Sequence, residues 1–291
     1  MTVNDIEALA REYPDWQPWL RVIQAVMREA TDRSWEAWIP ATEIQATDVP
    51  RLAGAELTPD LSKIRRWQQH LLQTAAQSGA PKMSQLNSLR KVTMNWVALF
   101  EASLCEDAAA LKQTADELGV DPDPFSAVHA LVAVPFLHAC NRRWQGSQGS
   151  GWTAGYCPTC GGWPAFAETR GIERSRYLRC GRCGAEWQAH ALFCCFCGNN
   201  DHKELGSLLP EKSGSTRAID TCNRCRGYLK TFTKLQGSAA TKLMLDDLAS
   251  VDLDIAALEQ GFKRPVGPGY ALNSEVVVKP GLGQRIFGRS V

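Results

Sequence analysis

The sequence predicts a mainly α N-terminal domain, then a small tandem of two zinc-ribbon-like, metal-held β folds, and a C-terminal helix. Three observations predict it. Apolar residues follow helical spacing over about the first 145 positions; eight cysteines form four Cys-x-x-Cys pairs between Trp152 and Lys234; and helical spacing returns after Leu235. Apolar side chains three and four apart share one helix face. Thiolates two residues apart on a tight turn hold one edge of a tetrahedral ion, and a second pair completes the shell.

In the N-terminal part, residues 1–150, Trp19, Val22, Ile23, Val26 and Met27 form the first stripe. Residues 39–57, with Pro40 and Pro50, read as an irregular crossing segment. Behind Thr58-Pro59-Asp60, where the threonine can cap and the proline suits a first turn, Leu61, Ile64, Gln68, Leu71, Leu72 and Ala75 mark a helix. Leu86, Leu89, Trp96, Val97 and Phe100 mark another. Gly119 stops a short helix, and Asp123-Pro124 opens one carrying Phe125 to Leu137, with a kink expected at Pro135. Cys105, Cys140, His70, His129 and His138 have no ligand-type neighbours in sequence and read as structural side chains. The run Gly146 to Gly151 reads as a flexible linker.

The four pairs are Cys157/Cys160, Cys180/Cys183, Cys194/Cys197 and Cys222/Cys225. Glycine follows three of them at once, as Gly161, Gly184 and Gly198, because the backbone after the second ligand turns into positive φ to aim its amides at sulfur. The fourth reads Cys225-Arg226-Gly227, with its glycine one place late. Nineteen residues separate Cys160 from Cys180 and 24 separate Cys197 from Cys222, near ribbon spacing, whereas only 10 lie between Cys183 and Cys194. Consecutive pairing is therefore expected over a crossed arrangement: Cys157, Cys160, Cys180 and Cys183 in one site (157–183), Cys194, Cys197, Cys222 and Cys225 in the other (194–225). Cys195 is one residue from making the turn and reads as an inert neighbour; His190 and His202 lie near knuckles whose shells are already full. Disulfides need an oxidising compartment, and the N-terminus lacks the basic start and apolar run of a signal peptide, so a reducing cytoplasm is expected.

The segments 163–169, 176–179, 186–191 and 218–221 read as short strands of a metal-binding domain at 151–235, with residues 211–215 as a polar hairpin tip. Met244 through Phe262 give a C-terminal helix within 236–264, and the Pro/Gly-rich residues 265–291 an extended or disordered tail. No apolar run approaches the roughly 18 residues of a membrane span. Neither a nucleophile–base pair nor a phosphate-binding glycine loop is found, so catalysis is not expected.

The blocks Trp152-x-x-Gly155-Tyr-Cys157-Pro-Thr-Cys160-Gly161-Gly-Trp-Pro164, Tyr177-Leu-x-Cys180-x-x-Cys183-x-x-Glu186-Trp187, Cys194-x-x-Cys197-Gly198 and Cys222-x-x-Cys225-x-x-Tyr228-Leu229-Lys230, with Asp246 through Phe262, resemble the formate dehydrogenase accessory proteins of the FdhE family. The resemblance covers about Trp152 to Arg264. It implies two rubredoxin-like folds, each holding an iron ion through four thiolates, with zinc the alternative. It also implies a cytoplasmic, non-enzymatic factor that acts on the catalytic subunit of formate dehydrogenase; a homodimer is left open. The sequence departs from the pattern at Gly162, Arg226 and Cys195.

Two other functions compete with it: a zinc-ribbon nucleic-acid module and a rubredoxin-like electron carrier. Overall charge is +1. Residues 151–235 hold twelve Lys/Arg against seven Asp/Glu, and eight thiolates with two divalent ions bring the loaded region back to about +1, far from the basic footprint of a phosphate binder. Only Arg174, Arg176, Arg179 and Arg182 could form a local patch. Iron and zinc both accept tetrahedral thiolate, so spacing does not separate them.

Overall fold

In the computed structural model, residues 3–41, 48–145, 151–210 and 216–277 are described. The expected linker (146–150), the hairpin tip (211–215) and the end of the tail (278–291) lie outside them. Helices α1 (Val3–Glu12) and α2 (Gln17–Glu29) begin the chain, and a two-residue strand β1 (Glu56–Leu57) lies at the end of the segment expected to be irregular, of which residues 42–47 lie outside the described residues. Next come α3 (Leu61–Ala76), α4 (Pro81–Ser84), α5 (Trp96–Cys105), α6 (Ala108–Leu118), α7 (Pro122–His129) and α8 (Val134–Trp144).

Local chemistry sets the ends of these helices. Asp60, not Thr58, caps α3: its carboxylate accepts from the amides of Ser62 and Lys63, two orphan donors that the shorter threonine two residues earlier does not meet. The expected helix over Leu86–Phe100 is instead a 3-10 turn at Gln85–Lys91 followed by α5, which Asn95 caps anew. Pro135 does not kink a long helix; it sits in the first turn of α8, after α7 has ended at His129. Gly119 closes α6 at φ 68, as expected. Residues 122–144 run to 23 and include an 18-residue window with mean hydropathy 1.2, enough by length and composition to match a membrane span, contrary to the sequence expectation. That window is 72% buried within the fold, as a core helix pair is.

Six of the strands form one sheet. It contains β2 (Pro164–Arg170), β3 (Ser175–Cys180), β4 (Glu186–Ala189), β5 (Leu205–Leu208), β6 (Arg217–Cys222) and β7 (Tyr228–Lys234), in the order β4-β3-β2-β7-β6-β5. Each expected ribbon is an antiparallel three-stranded unit, and the two join by parallel pairing of β2 with β7, Phe166 opposite Lys230 and Arg170 opposite Lys234. The expected single C-terminal helix is two, α9 (Leu243–Leu248) and α10 (Val251–Glu259), separated at Ser250. Within residues 265–277, Leu272, Ser274 and Val276 are buried against the fold. The Tyr270 amide donates to the Gly161 carbonyl, the Gly54 amide to that of Leu272, and β8 (Glu275–Val276) pairs in parallel with β1. One apolar core runs from the helices, through Phe100, Phe136 and Leu137, to Cys157, Cys160, Cys180, Cys183 and Leu178. The helical part and the first ribbon therefore share their interior.

Candidate metal centres

All four Cys-x-x-Cys turns have the same hydrogen-bond plan. The amide of the first cysteine donates to the carbonyl five residues on: Cys157 to Gly162, Cys180 to Ala185, Cys194 to Asn199 and Cys222 to Gly227, at 2.8–2.9 Å. In the first three, the glycine after the second cysteine donates back to the first cysteine's carbonyl and takes φ of 70°, 79° and 72°. Arg226 takes the equivalent place in the fourth at φ 57°, a conformation that costs an L-residue roughly 1–2 kcal/mol. Its side chain supplies compensating contacts: the guanidinium lies 4.0 Å over the Phe262 ring and donates to the Gln260 carbonyl at 2.8 Å. Gly227, one place late, is needed for a different reason. A Cβ there would stand 2.7 Å from Phe196 Cδ2.

The sulfurs of Cys157, Cys160, Cys180 and Cys183 converge within 4.8 Å of one another, and so do those of Cys194, Cys197, Cys222 and Cys225. Cross-ribbon separations are 3.4 Å for Cys157–Cys183, 3.6 Å for Cys160–Cys180, 3.6 Å for Cys194–Cys225 and 3.8 Å for Cys197–Cys222. None of the eight is in a disulfide. A tetrahedral ion with bonds of about 2.3 Å sets sulfurs about 3.8 Å apart, so either quartet can hold one. Backbone amides already face the sulfurs, as from Thr159 to Cys157 at 3.4 Å and Cys183 to Cys180 at 3.5 Å. In the second quartet, Asn199 Nδ2 donates to Cys222 Sγ at 3.8 Å. Burial works against the Cys222 thiolate, but the amides of Cys225 and Arg224 and the Asn199 side chain outweigh it and lower the thiol to about 7.

The first quartet is wholly buried. The Arg51 and Leu52 amides donate to the carbonyls of Pro158 and Thr159, pinning one knuckle to the segment before β1. Arg182, inside the other, reaches Glu106 Oε1 at 2.8 Å and the Ser103 carbonyl at 2.6 Å, where α5 ends. Sequence reasoning missed this tie. The signal available was Glu106-Asp107 after a helix end, which is ordinary in itself.

Cys195 is buried, and burial pushes its thiol up to about 12. Its carbonyl comes so close to Gly155 that a Cβ there would overlap it at 1.8 Å, which explains the Gly155-Tyr-Cys157 run. His129 and His138 are buried, and burial lowers each to about 4; His202 is exposed, and His190 accepts from Arg176 through its backbone carbonyl. Three of the four arginines of the suspected basic patch are spent internally. Arg176 pairs with Asp220 at 3.0 Å, Arg179 with Glu168 at 2.6 Å and Arg182 with Glu106. No phosphate-binding stripe remains there.

Residues 192–269 match the family model of the FdhE C-terminal domain. The chain resembles FdhE. It is 34% identical over 114 residues to an FdhE homologue of Aquifex aeolicus, an alignment covering 38% of this chain and 40% of that one. It is 35% identical over 114 residues to the FdhE homologue of Pseudomonas aeruginosa, covering 37% of each. The sequence likeness thus spans well under half the length of these relatives. The crystal structure of the FdhE protein from Pseudomonas aeruginosa superposes with a TM-score of 0.57 over 92% of this chain and 93% of that one, at 21% identity, which shows an FdhE-like fold.

Proposed function

We propose that the protein is a non-catalytic accessory factor in the maturation of formate dehydrogenase, acting in the cytoplasm on the enzyme's catalytic subunit. The observation that carries this is the pair of preorganised cysteine quartets within an FdhE-like fold. In this reading Cys157, Cys160, Cys180 and Cys183 hold one ion and Cys194, Cys197, Cys222 and Cys225 the other, each in a rubredoxin-like turn pair. The helical unit (1–150), the metal-binding unit (151–235), the helices of 236–264 and the segment from 265 act as one scaffold. Iron is assigned from the family resemblance, and zinc fits the same sulfurs. A bound ion supplies stiffness, since small metal-held ribbons draw about 10 kcal/mol of folding free energy per site from it. The chain's own amides and glycines fix the turns in which that happens.

In this reading the client would bind in a cleft of about 930 Å³ between α8 and β4. One wall is His138, Asn141 and Arg142 of α8 with Gln145 just after it; the other is the outer edge of the sheet, where, among the described residues, β4 has β3 as its one strand neighbour. Residues from both faces of β4, Trp187 and Gln188 among them, line it, so the cleft wraps the strand's free edge. Unpaired edges accept an extended segment as an added strand.

Co-purification of the formate dehydrogenase catalytic subunit with the full chain tests the proposal. Capture is expected, and the exposed pair Gln145→Arg and Gln188→Arg should reduce it about tenfold or more without changing metal content. Intact formate dehydrogenase activity in a strain lacking this gene would contradict the role.

A further inference from the structure

The two quartets are built alike and housed differently. Around the first, Cys157, Cys160, Cys180 and Cys183 are 0%, 1%, 0% and 0% exposed. Both of its glycines face packed atoms: a Cβ on Gly161 would meet the Tyr270 carbonyl oxygen at 2.8 Å, and one on Gly184 would meet Ala240 Cβ at 2.6 Å. Arg182 and the 51–52 backbone tie both knuckles to the helical part. An ion there could leave only if that shared core opened.

Around the second, Cys197 is exposed and Cys225 half-buried. Gly198, the counterpart of Gly161 and Gly184, has no atom of the described residues within 4 Å of a Cβ position. A cavity of about 330 Å³ adjoins the quartet, lined by Cys194, Cys222, Phe193, Phe196 and Leu192. A sulfur donor or chelator can therefore approach from solvent at Cys197, and there is separate room beside Cys194 and Cys222. Ligand exchange at a tetrahedral thiolate site requires an incoming donor to reach the ion while one protein sulfur swings out, and only the second quartet gives both.

The geometry points to a division of labour: the first quartet is a permanent structural site, and the second is the exchange site, which gives up and takes up a soft divalent cation without unfolding. This deepens the proposed function and rests on its two-site reading. Exchange here breaks four metal–sulfur bonds, transfers the cation to the acceptor's donors and returns protons to the thiolates, with no change in oxidation state.

The test uses the full chain reconstituted with zinc and challenged with 4-(2-pyridylazo)resorcinol, following dye-bound zinc and near-ultraviolet circular dichroism together. One equivalent should leave at least about tenfold faster than the other, a barrier difference of about 1.4 kcal/mol, with the dichroism unchanged through the fast phase. Cys197→Ser should bind one equivalent and lose only the fast phase. Two equivalents leaving at one rate, loss of tertiary dichroism during the fast phase, or a fast phase that survives in Cys197→Ser would each overturn the proposal. Fewer than two equivalents bound by the wild-type chain would instead remove the two-site reading, and this proposal with it.

Discussion

Gly184 and Gly198 occupy the same place in their knuckles at φ of 79° and 72°, yet they answer to different demands. At Gly198 only the backbone conformation requires glycine, so Gly198→Ala should cost about 1 kcal/mol. At Gly184 the same strain is joined by overlap with Ala240 and contact with His138, so Gly184→Ala should cost about 2–4 kcal/mol. Denaturant unfolding of the metal-loaded variants checks the difference; equal losses would show that packing against Ala240 is not what the site enforces. The conformational half of this was legible in sequence, because a glycine directly after a Cys-x-x-Cys pair has a local cause. The packing half was not, since Ala240 lies 56 residues downstream of Gly184. Arg226 shows the same limit from the other side: its positive φ is tolerated through Phe262 and Gln260, which local spacing does not reveal.

At the scale of elements, the sequence disclosed each ribbon and concealed their fusion. Antiparallel neighbours such as β2 and β3 are a short turn apart, whereas the parallel join sets Phe166 opposite Lys230, and such long-range pairing leaves no periodic trace. Two ionic clusters flank that join, and the one at Glu168 spans it. Lys230, with no exposed side chain, reaches Asp254 at 2.8 Å and Asp247 at 2.6 Å, tying β7 to α9 and α10. On β2, buried Glu168 receives Arg170, Arg179 at 2.6 Å, Lys234 at 3.5 Å and the Ser238 amide at 3.0 Å. Burial alone would raise the Glu168 carboxyl, but Arg170 and Arg179 outweigh it and bring it from 4.5 down to about 2. A group lowered on folding contributes stability above its unfolded value and loses it as pH falls toward the folded one. Glu168→Gln should therefore melt well below the wild type at neutral pH, and the gap should close between about pH 4.5 and pH 2. A gap independent of pH would show that the carboxylate charge is not what secures the join.

For the whole molecule, four of the eight sulfurs that marked the sequence, those of Cys157, Cys160, Cys180 and Cys183, also mark where its parts meet. The first quartet lies in the core shared with α5 and α8, so the expected boundary at residue 150 separates units that do not have separate interiors. Composition predicted a helical part and a cysteine-rich part; their union depends on Arg182 reaching Glu106 and on residues 270–276 returning to β1, contacts across the full length of the chain. The tail illustrates why they were hidden. Its prolines and glycines argue against helix, and extended chain that pairs by backbone alone has little side-chain pattern to read.

The most direct test of the central claim is metal content by elemental analysis, combined with X-ray absorption, on the full chain purified without added metal. Two ions per chain, each with four sulfurs at about 2.3 Å, are predicted, falling to one in Cys160→Ser and in Cys197→Ser. A chain that keeps its fold with no metal, or whose quartets prove to be oxidised to disulfides, would contradict the account.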